Sequence, residues 1–422
     1  MARSIPQTPT LEEIAAFTIA IPHLTFVATE LTPYIDDEDL IWSYVGLGSF
    51  YKGQGLYNQA PVWYEPCLKV CRERLGEQHP SVASSLNNLA LLYKSQGRYE
   101  DAEPLFLQAV ELYKQLLGGQ HPDMATSLNN LALLYEAQGR YEKAEPLFLQ
   151  AVELDKQLLG EQHPSVATSL NNLATLYESQ GRYDAAEPLY QKVLELHKQL
   201  LGEQHPSVAT SLNNLAGLYS SQGRYEDAEP LFLQAVELYK QLLGEQHPLM
   251  ANSLNNLAEL YSAQGRYEEA EPIYTQALEL KKQLLGEQHP SVATSLNNLA
   301  LLYDAQGRYE AAEPLYQQAL ELKQQLLGEQ HPSVATSLNN LAELYKAQER
   351  YEAAEPLYQK ALAIAESILG ENHPNTKTIQ NNYTQCMRMK FLQMPEAEMR
   401  QVLSEEACEE LLQYKRQMES ES

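Results

Sequence analysis

The chain has 422 residues with 56 acidic against 30 basic side chains, a net charge of −26. A field of that sign repels nucleic-acid phosphates and anionic lipid headgroups, so neither nucleic acid nor a membrane is an expected partner, and the charge reads first as a solvated outer face. The four cysteines are too few for a disulfide framework, have no His–Cys metal spacing around them, and fit a reducing cytosol.

Residues 1–9 lack the charged-then-apolar order of a signal peptide, and no run approaches the ~18 apolar residues of a membrane span, so a cytoplasmic location is expected. Residues 11–34 read as two short helices within an N-terminal cap over 1–37. From residue 79 the pair His-Pro recurs every 42 residues, at His79, His121, His163, His205, His247, His289, His331 and His373, without insertion or deletion. A fixed period of this size means stacked supersecondary units, none of which can bury its apolar face alone. Residues 38–370 are therefore predicted to form eight 42-residue hairpins. The first is degenerate, with Gly55-Leu56-Tyr57 in place of Gly-Arg-Tyr and with Trp42 and Trp63 as bulk.

In the representative unit, Pro80 suits the first turn of helix A and Gly97 stops it after about 16 residues. Leu86, Leu89, Ala90 and Tyr93 fall on one stripe at the helical period. Helix B is predicted from Tyr99 to the C-terminal cap at Gly118, with Ala102, Phe106, Ala109 and Val110 buried. Pro104 and its copies fall just beyond the first turn of helix B, where proline removes a hydrogen bond or bends the helix. Glu349 stands where other hairpins have glycine, so a left-handed turn there is expected to be strained. Residues 371–422 are expected to hold a lone A-type helix over 375–392 and one charged helix over 396–418, as a cap.

The spacing Leu86-x-x-Leu89-Ala90-x-x-Tyr93, then Ala102-x-x-x-Phe106, resembles the tetratricopeptide (TPR) pattern, and the 42-residue form with Leu-Asn-Asn-Leu-Ala resembles the TPR domain of kinesin light chains over residues 76–383. The resemblance implies an all-α, right-handed superhelical solenoid that serves as a protein–protein interaction scaffold. No heptad segment for a kinesin heavy chain accompanies it.

Candidate functional residues come from what the repeats keep and what they vary. The loop histidines are one per hairpin, too far apart to share a metal, and read as loop and N-cap residues. No nucleophile elbow, phosphate loop or carboxylate pair is present, so neither catalysis nor a cofactor is expected. The second asparagine of each pair, Asn88, Asn130, Asn172, Asn214, Asn256, Asn298 and Asn340, lies beside the apolar stripe and forms a ladder that offers a donor and an acceptor to an extended main chain. The resemblance implies the same role, because the second Asn of this motif contacts peptide in kinesin light chains. The competing role is purely structural, a ladder that ties stacked A helices together.

Three residues on come Leu91, Leu133, Thr175, Gly217, Glu259, Leu301 and Glu343; three further come Lys94, Glu136, Glu178, Ser220, Ser262, Asp304 and Lys346. Lysine stands at that last position only at the two ends, so the acidic cargo of the family is not implied. A neutral or basic segment is expected, anchored by an apolar side chain near Leu91 and Leu133, with room for close approach at Gly217. The protein reads as a non-catalytic adaptor, monomeric rather than an obligate oligomer. The alternative is a regulatory or self-associating scaffold that acts through its ends.

Overall fold

In the computed structural model, which describes residues 8–421, every regular element is helical. Helices α1 (Leu11–Thr18) and α2 (Ile21–Phe26) are followed by a π turn over Val27–Leu31 and a 3₁₀ turn over Thr32–Tyr34. The N-terminal cap expected over 1–37 is thus two helices and two tight turns, and its residues 1–7 lie outside the described residues. The first hairpin pairs α3 (Trp42–Gly53) with α4 (Pro61–Leu75), and the second pairs α5 (Pro80–Ser95) with α6 (Tyr99–Leu117). Six more follow at 42-residue intervals, ending with α17 (Pro332–Ala347) and α18 (Tyr351–Leu369). The chain closes with α19 (Pro374–Gln393), α20 (Glu396–Val402) and α21 (Glu405–Glu421). The single helix expected over 396–418 is therefore two helices. Leu403 is extended, with φ −112° and ψ 156°, and the Ser404 hydroxyl accepts the Ala407 N–H at 3.3 Å, restarting the helix with a new N-cap.

Local chemistry makes each hairpin. At every corner the histidine is the N-cap: His79 Nδ1 accepts the Ser81 N–H at 3.1 Å, and the other seven histidines do the same two residues on. With Nδ1 taken up as an acceptor, Nε2 is the ring nitrogen left to face other groups. Helix A ends in a Schellman turn, with Arg98 N–H on Tyr93 O at 2.9 Å and Gly97 N–H on Lys94 O at 3.0 Å, which requires the left-handed φ of +72° at Gly97. Glu349 takes the same conformation, with φ +60°, the one non-glycine residue with positive φ among those described.

The apolar stripes meet as the spacing predicts, except that Val110, expected to be buried, is half-buried at their edge, as is Tyr93. Leu86, Leu89 and Ala90 of α5 and Ala102, Phe106 and Ala109 of α6 are all buried; truncating a fully buried Phe such as Phe106 costs about 3–5 kcal/mol. Helix α6 runs unbroken through Pro104. Neighbouring hairpins are also joined by a polar clasp. Glu103, on the residue before that proline, accepts from Tyr135 Oη at 3.0 Å and from the Arg140 guanidinium at 2.6 Å, while Arg140 lies over the Tyr135 ring, 4.5 Å from its centre. Glu145, Glu187, Glu229, Glu271 and Glu313 repeat this contact. Tyrosines such as Tyr135, which look like simple packing residues in the pattern, thus pack with the ring and donate with the hydroxyl.

The solenoid closes on itself. A Cβ added to Gly55 would stand 2.4 Å from Pro290, one on Gly97 2.7 Å from Pro332, and one on Gly139 2.8 Å from His373. The turn between helices A and B in one coil therefore abuts a His-Pro corner about 5.6 repeats later. His289 Nε2 lies 3.4 Å from Gly53 O, and His331 and His373 turn to the carbonyls of Ser95 and Ala137 in the same way.

Two outcomes follow from these turns and corners. Glu349→Gly removes the cost of a left-handed non-glycine residue, about 1–2 kcal/mol, so its denaturant midpoint should rise; no rise would show the turn to be unstrained. Burial, helped by the nearby Lys323 ammonium and opposed by the Ser95 carbonyl, holds the His331 pKa at about 4, below its ordinary 6.5. The unfolded chain then takes up the proton first, so the stability present above pH 6.5 is lost as pH falls towards 4. His331→Asn, which caps a helix without titrating, should flatten the fall in denaturant midpoint over that interval relative to the parent.

Candidate functional site

The inner wall of the coil is built by the A helices. A cavity of about 560 Å³ opens where Lys52, Asn88, Leu91 and Asn130 of the first three hairpins face His289 and Pro290 of the next coil. It brings together three of the residues proposed from the repeat pattern. The remaining asparagines, Asn172, Asn214, Asn256, Asn298 and Asn340, hold the equivalent position along the wall, and all seven are half-buried.

The ladder exists, and part of it works between repeats. Asn172 donates from Nδ2 to Asn129 Oδ1 at 3.4 Å, Asn214 to Asn171 at 2.7 Å, Asn298 to Asn255 at 3.2 Å and Asn340 to Asn297 at 3.0 Å. The first asparagines of the pairs are the anchors: Asn87, Asn129, Asn213, Asn255, Asn297 and Asn339 are buried, and Asn129 in turn donates to Ser169 Oγ at 2.7 Å. Asn88, Asn130 and Asn256 have no side-chain hydrogen bond to the protein among the described residues. A carboxamide carries two N–H donors and one acceptor. Even the tied members keep one N–H outside the inter-repeat bond.

The variable positions divide by what they touch. Leu91 and Leu133 are half-buried on the wall, and Leu301 is exposed. Thr175 is committed to the protein, its hydroxyl donating to Asn171 O at 3.0 Å and meeting Tyr190 Oη at 3.0 Å. Glu178 accepts from Tyr190 Oη at 2.8 Å and from Ser221 Oγ at 3.2 Å. Gly217 has nothing within 4 Å of where a Cβ would stand, so the space there is open.

Confinement governs the charges. Burial pushes the Lys94 ammonium below its usual range, with Glu136 opposing and Lys52 adding, and pushes Glu136 above the usual carboxylate range, with Lys94 opposing. Glu259 and Asp304 are raised by the same cause. At the far end Lys346 is paired with Glu343 at 2.7 Å. Of the two lysines that mark the ends of the row, Lys94 alone lacks an ion pair among the described residues. The wall is thus basic around Lys52 and Lys94 and acidic from Glu136 to Asp304.

One column of residues, buried except for the half-buried His197, lies where the repeat pattern marks core. Helix B carries Cys71, Tyr113, Asp155, His197, Tyr239, Lys281 and Lys323 at one position, opposite a constant serine of the next helix A. Ser169 Oγ donates to Asp155 at 2.6 Å, His197 Nδ1 meets Ser211 Oγ at 2.7 Å, and Lys323 Nζ donates to Ser337 Oγ at 2.9 Å. A hydroxyl both donates and accepts, so one invariant residue satisfies partners of either charge. The visible signal was variation in charge at a position spaced three after Val110 on the apolar stripe. Among the described residues no group of three or more His, Cys, Asp or Glu side chains is arranged to hold a metal ion. No single helix is long and apolar enough to cross a membrane; the bent pair Leu11–Thr18 and Ile21–Tyr34 reaches that length and composition only jointly.

Comparison with known proteins places this architecture. The family described as "Tetratricopeptide repeat" matches residues 39–115, 86–157, 123–199, 165–241, 208–283, 249–325, 292–367 and 333–409. Among solved structures, BtubC (BKLC) from P. vanneervenii is 28% identical, with 55% of this chain and 92% of that chain covered and a TM-score of 0.45. A putative kinesin light chain from Podosopora anserina, with nearly identical TPR-like repeats, is 30% identical over 49% of this chain and 98% of that one, with a TM-score of 0.40. A tetratricopeptide repeat protein from Parabacteroides merdae ATCC 43184 is 18% identical over 72% of this chain and 98% of that one, with a TM-score of 0.46. No curated protein matches.

Proposed function

The chain belongs to the tetratricopeptide-repeat family, whose repeats mediate protein–protein interactions, and we propose that it is a non-catalytic adaptor holding an extended segment of a partner protein along the inner wall of its coil. The observation that carries this reading is the column of half-buried carboxamides at 42-residue intervals. An extended backbone presents N–H and C=O groups whatever its side chains, and a row of two-sided amides can meet both.

Leu91, beside Asn88 and Asn130 in the cavity, supplies an apolar seat for one anchoring side chain, and Leu133 extends it. The raised carboxyls of Glu136, Glu259 and Asp304 favour a neutral or basic segment over an acidic one, because a nearby cation relieves their confinement. Four free, buried cysteines suit a reducing compartment, and we place the adaptor in the cytoplasm.

The test separates binding from folding. Asn88, Asn130 and Asn256 are replaced together by Ala, since these three leave the Asn–Asn bonds between repeats intact. A displayed library of random linear peptides is panned against the full parent chain, and the enriched peptides are titrated against both proteins. Loss of binding by at least tenfold, with the denaturant midpoint of the variant nearly unchanged, is the expected result. Peptides that bind the variant equally well, or a library that yields none, would reject the inner wall as the binding face.

A further inference from the structure

Two consecutive hairpins carry a lysine at the same buried position of helix B, and only one of the two has a partner. Lys323 donates to Ser337 Oγ at 2.9 Å. Lys281, 42 residues earlier, is 4% exposed, and its ammonium makes no hydrogen bond or ion pair among the described residues. Ser295, the serine opposite it, is buried with its hydroxyl unpartnered as well. Burial pulls the Lys281 pKa down to about 8, with no carboxylate near enough to oppose it. A buried ammonium with neither acceptor nor counter-charge is costly, and such a group calls for an ion that completes it.

Lys281 lines a cavity of about 500 Å³ between α1 and the sixth hairpin, α13 (Pro248–Ala263) and α14 (Tyr267–Leu285), where α1 packs on α14. Pro248, Leu249 and Asn252 reach it from the start of α13, and Ser291 from the start of α15 (Pro290–Ala305). The positive ends of two helix dipoles therefore border the hollow beside the ammonium. His247 and His289 already accept the Leu249 and Ser291 N–H groups, so these termini supply field rather than free donors. The donors are the Lys281 ammonium, the Asn252 carboxamide and the Ser291 hydroxyl, none of which has a side-chain partner among the described residues. Two carboxylates stand on the α1 side. Glu12 is exposed, and Glu13 is held in the capping box of its own helix, accepting from Thr10 N at 2.7 Å and Thr10 Oγ at 3.1 Å.

We propose that this cavity binds a small molecule bearing an oxyanion, a carboxylate or a phosphate, with Lys281 as its counter-charge and Asn252 and Ser291 as neutral donors. The volume suits a metabolite-sized ligand, and Leu249 and Leu285 offer apolar contact to its carbon body. A molecule seated there touches α1 and two hairpins at once, so occupancy ties the N-terminal cap to the coil. The site uses none of the asparagines of the inner wall, so it stands or falls separately from peptide binding.

The experiment is isothermal titration calorimetry of the full chain with inorganic phosphate and, separately, with citrate, at constant ionic strength set with chloride. The same titrations are made on Lys281→Met and on Lys323→Met, since methionine keeps an unbranched side chain and removes the charge. The parent should bind one equivalent of at least one of the two anions saturably; phosphate alone assigns a phosphate ligand, and citrate alone a carboxylate. Lys281→Met should weaken that binding at least tenfold and raise the denaturant midpoint in anion-free buffer, because an unpaired buried charge is gone. Lys323→Met, whose lysine already has its serine, should bind like the parent. Should Lys281→Met not fold, Asn252→Phe, at an exposed position on the rim, fills the space and predicts the same loss. A parent that binds neither anion, binding that survives the substitution, or an equal loss in Lys323→Met overturns the proposal.

Discussion

The fixed length of the unit governs everything built on it. Because no copy gains or loses a residue between His79 and His373, each hairpin meets the next through the same residues: the alanines of the stripe, the Glu–Tyr–Arg clasp, and serine facing a polar partner. Equal contacts give equal rotations, and equal rotations carry the ribbon round until a corner arrives at a turn. A single-residue insertion would leave local folding intact and shift every later corner away from its glycine. Regularity along the sequence is thus the structural cause of contact across more than two hundred residues.

The inner wall ties its own repeats together through asparagines. Six of the first asparagines are buried and Asn171 is half-buried, and four of the second, Asn172, Asn214, Asn298 and Asn340, donate back to the first asparagine of the preceding pair. A carboxamide has hydrogen-bonding capacity beyond one inter-repeat bond, so a stiffening ladder does not preclude a binding one. Confinement also sets the wall's electrostatics. Lysines and carboxylates that would be unremarkable on a convex surface are desolvated by facing protein, so Lys94 gives up its proton more easily and Glu136 holds its own more tightly.

How much of this the sequence made legible depends on whether a feature is local. Helix boundaries, the proline and glycine stops, the histidine caps and the left-handed Glu349 follow from residue chemistry within one unit, and the period multiplies each signal. The Asn positions on the wall follow from helical spacing for the same reason. The split of the last helix at Leu403-Ser404 was masked by a continuous charged pattern, and only the cap geometry reveals it. The column from Cys71 to Lys323 was hidden because charge is ordinarily a sign of exposure, and the serines that bond Asp155, His197 and Lys323 lie on other helices. The seam was out of reach altogether: it depends on a small rotation accumulated over several hairpins, which no pair of neighbouring residues encodes.

That seam alters how the protein should hold together. A stack in which each unit touches only its neighbours melts like a one-dimensional array, fraying from its ends. Once the ribbon completes a lap, the hairpin opening at Pro332 is braced by the turn at Gly97, and the ends of the chain become mutual supports. Lengthening such a gene by whole-unit duplication adds a neighbour contact at first, then beyond one lap a lateral one as well. Cooperativity should therefore increase in a step at that length, giving arrays longer than a lap a selective advantage that shorter ones lack.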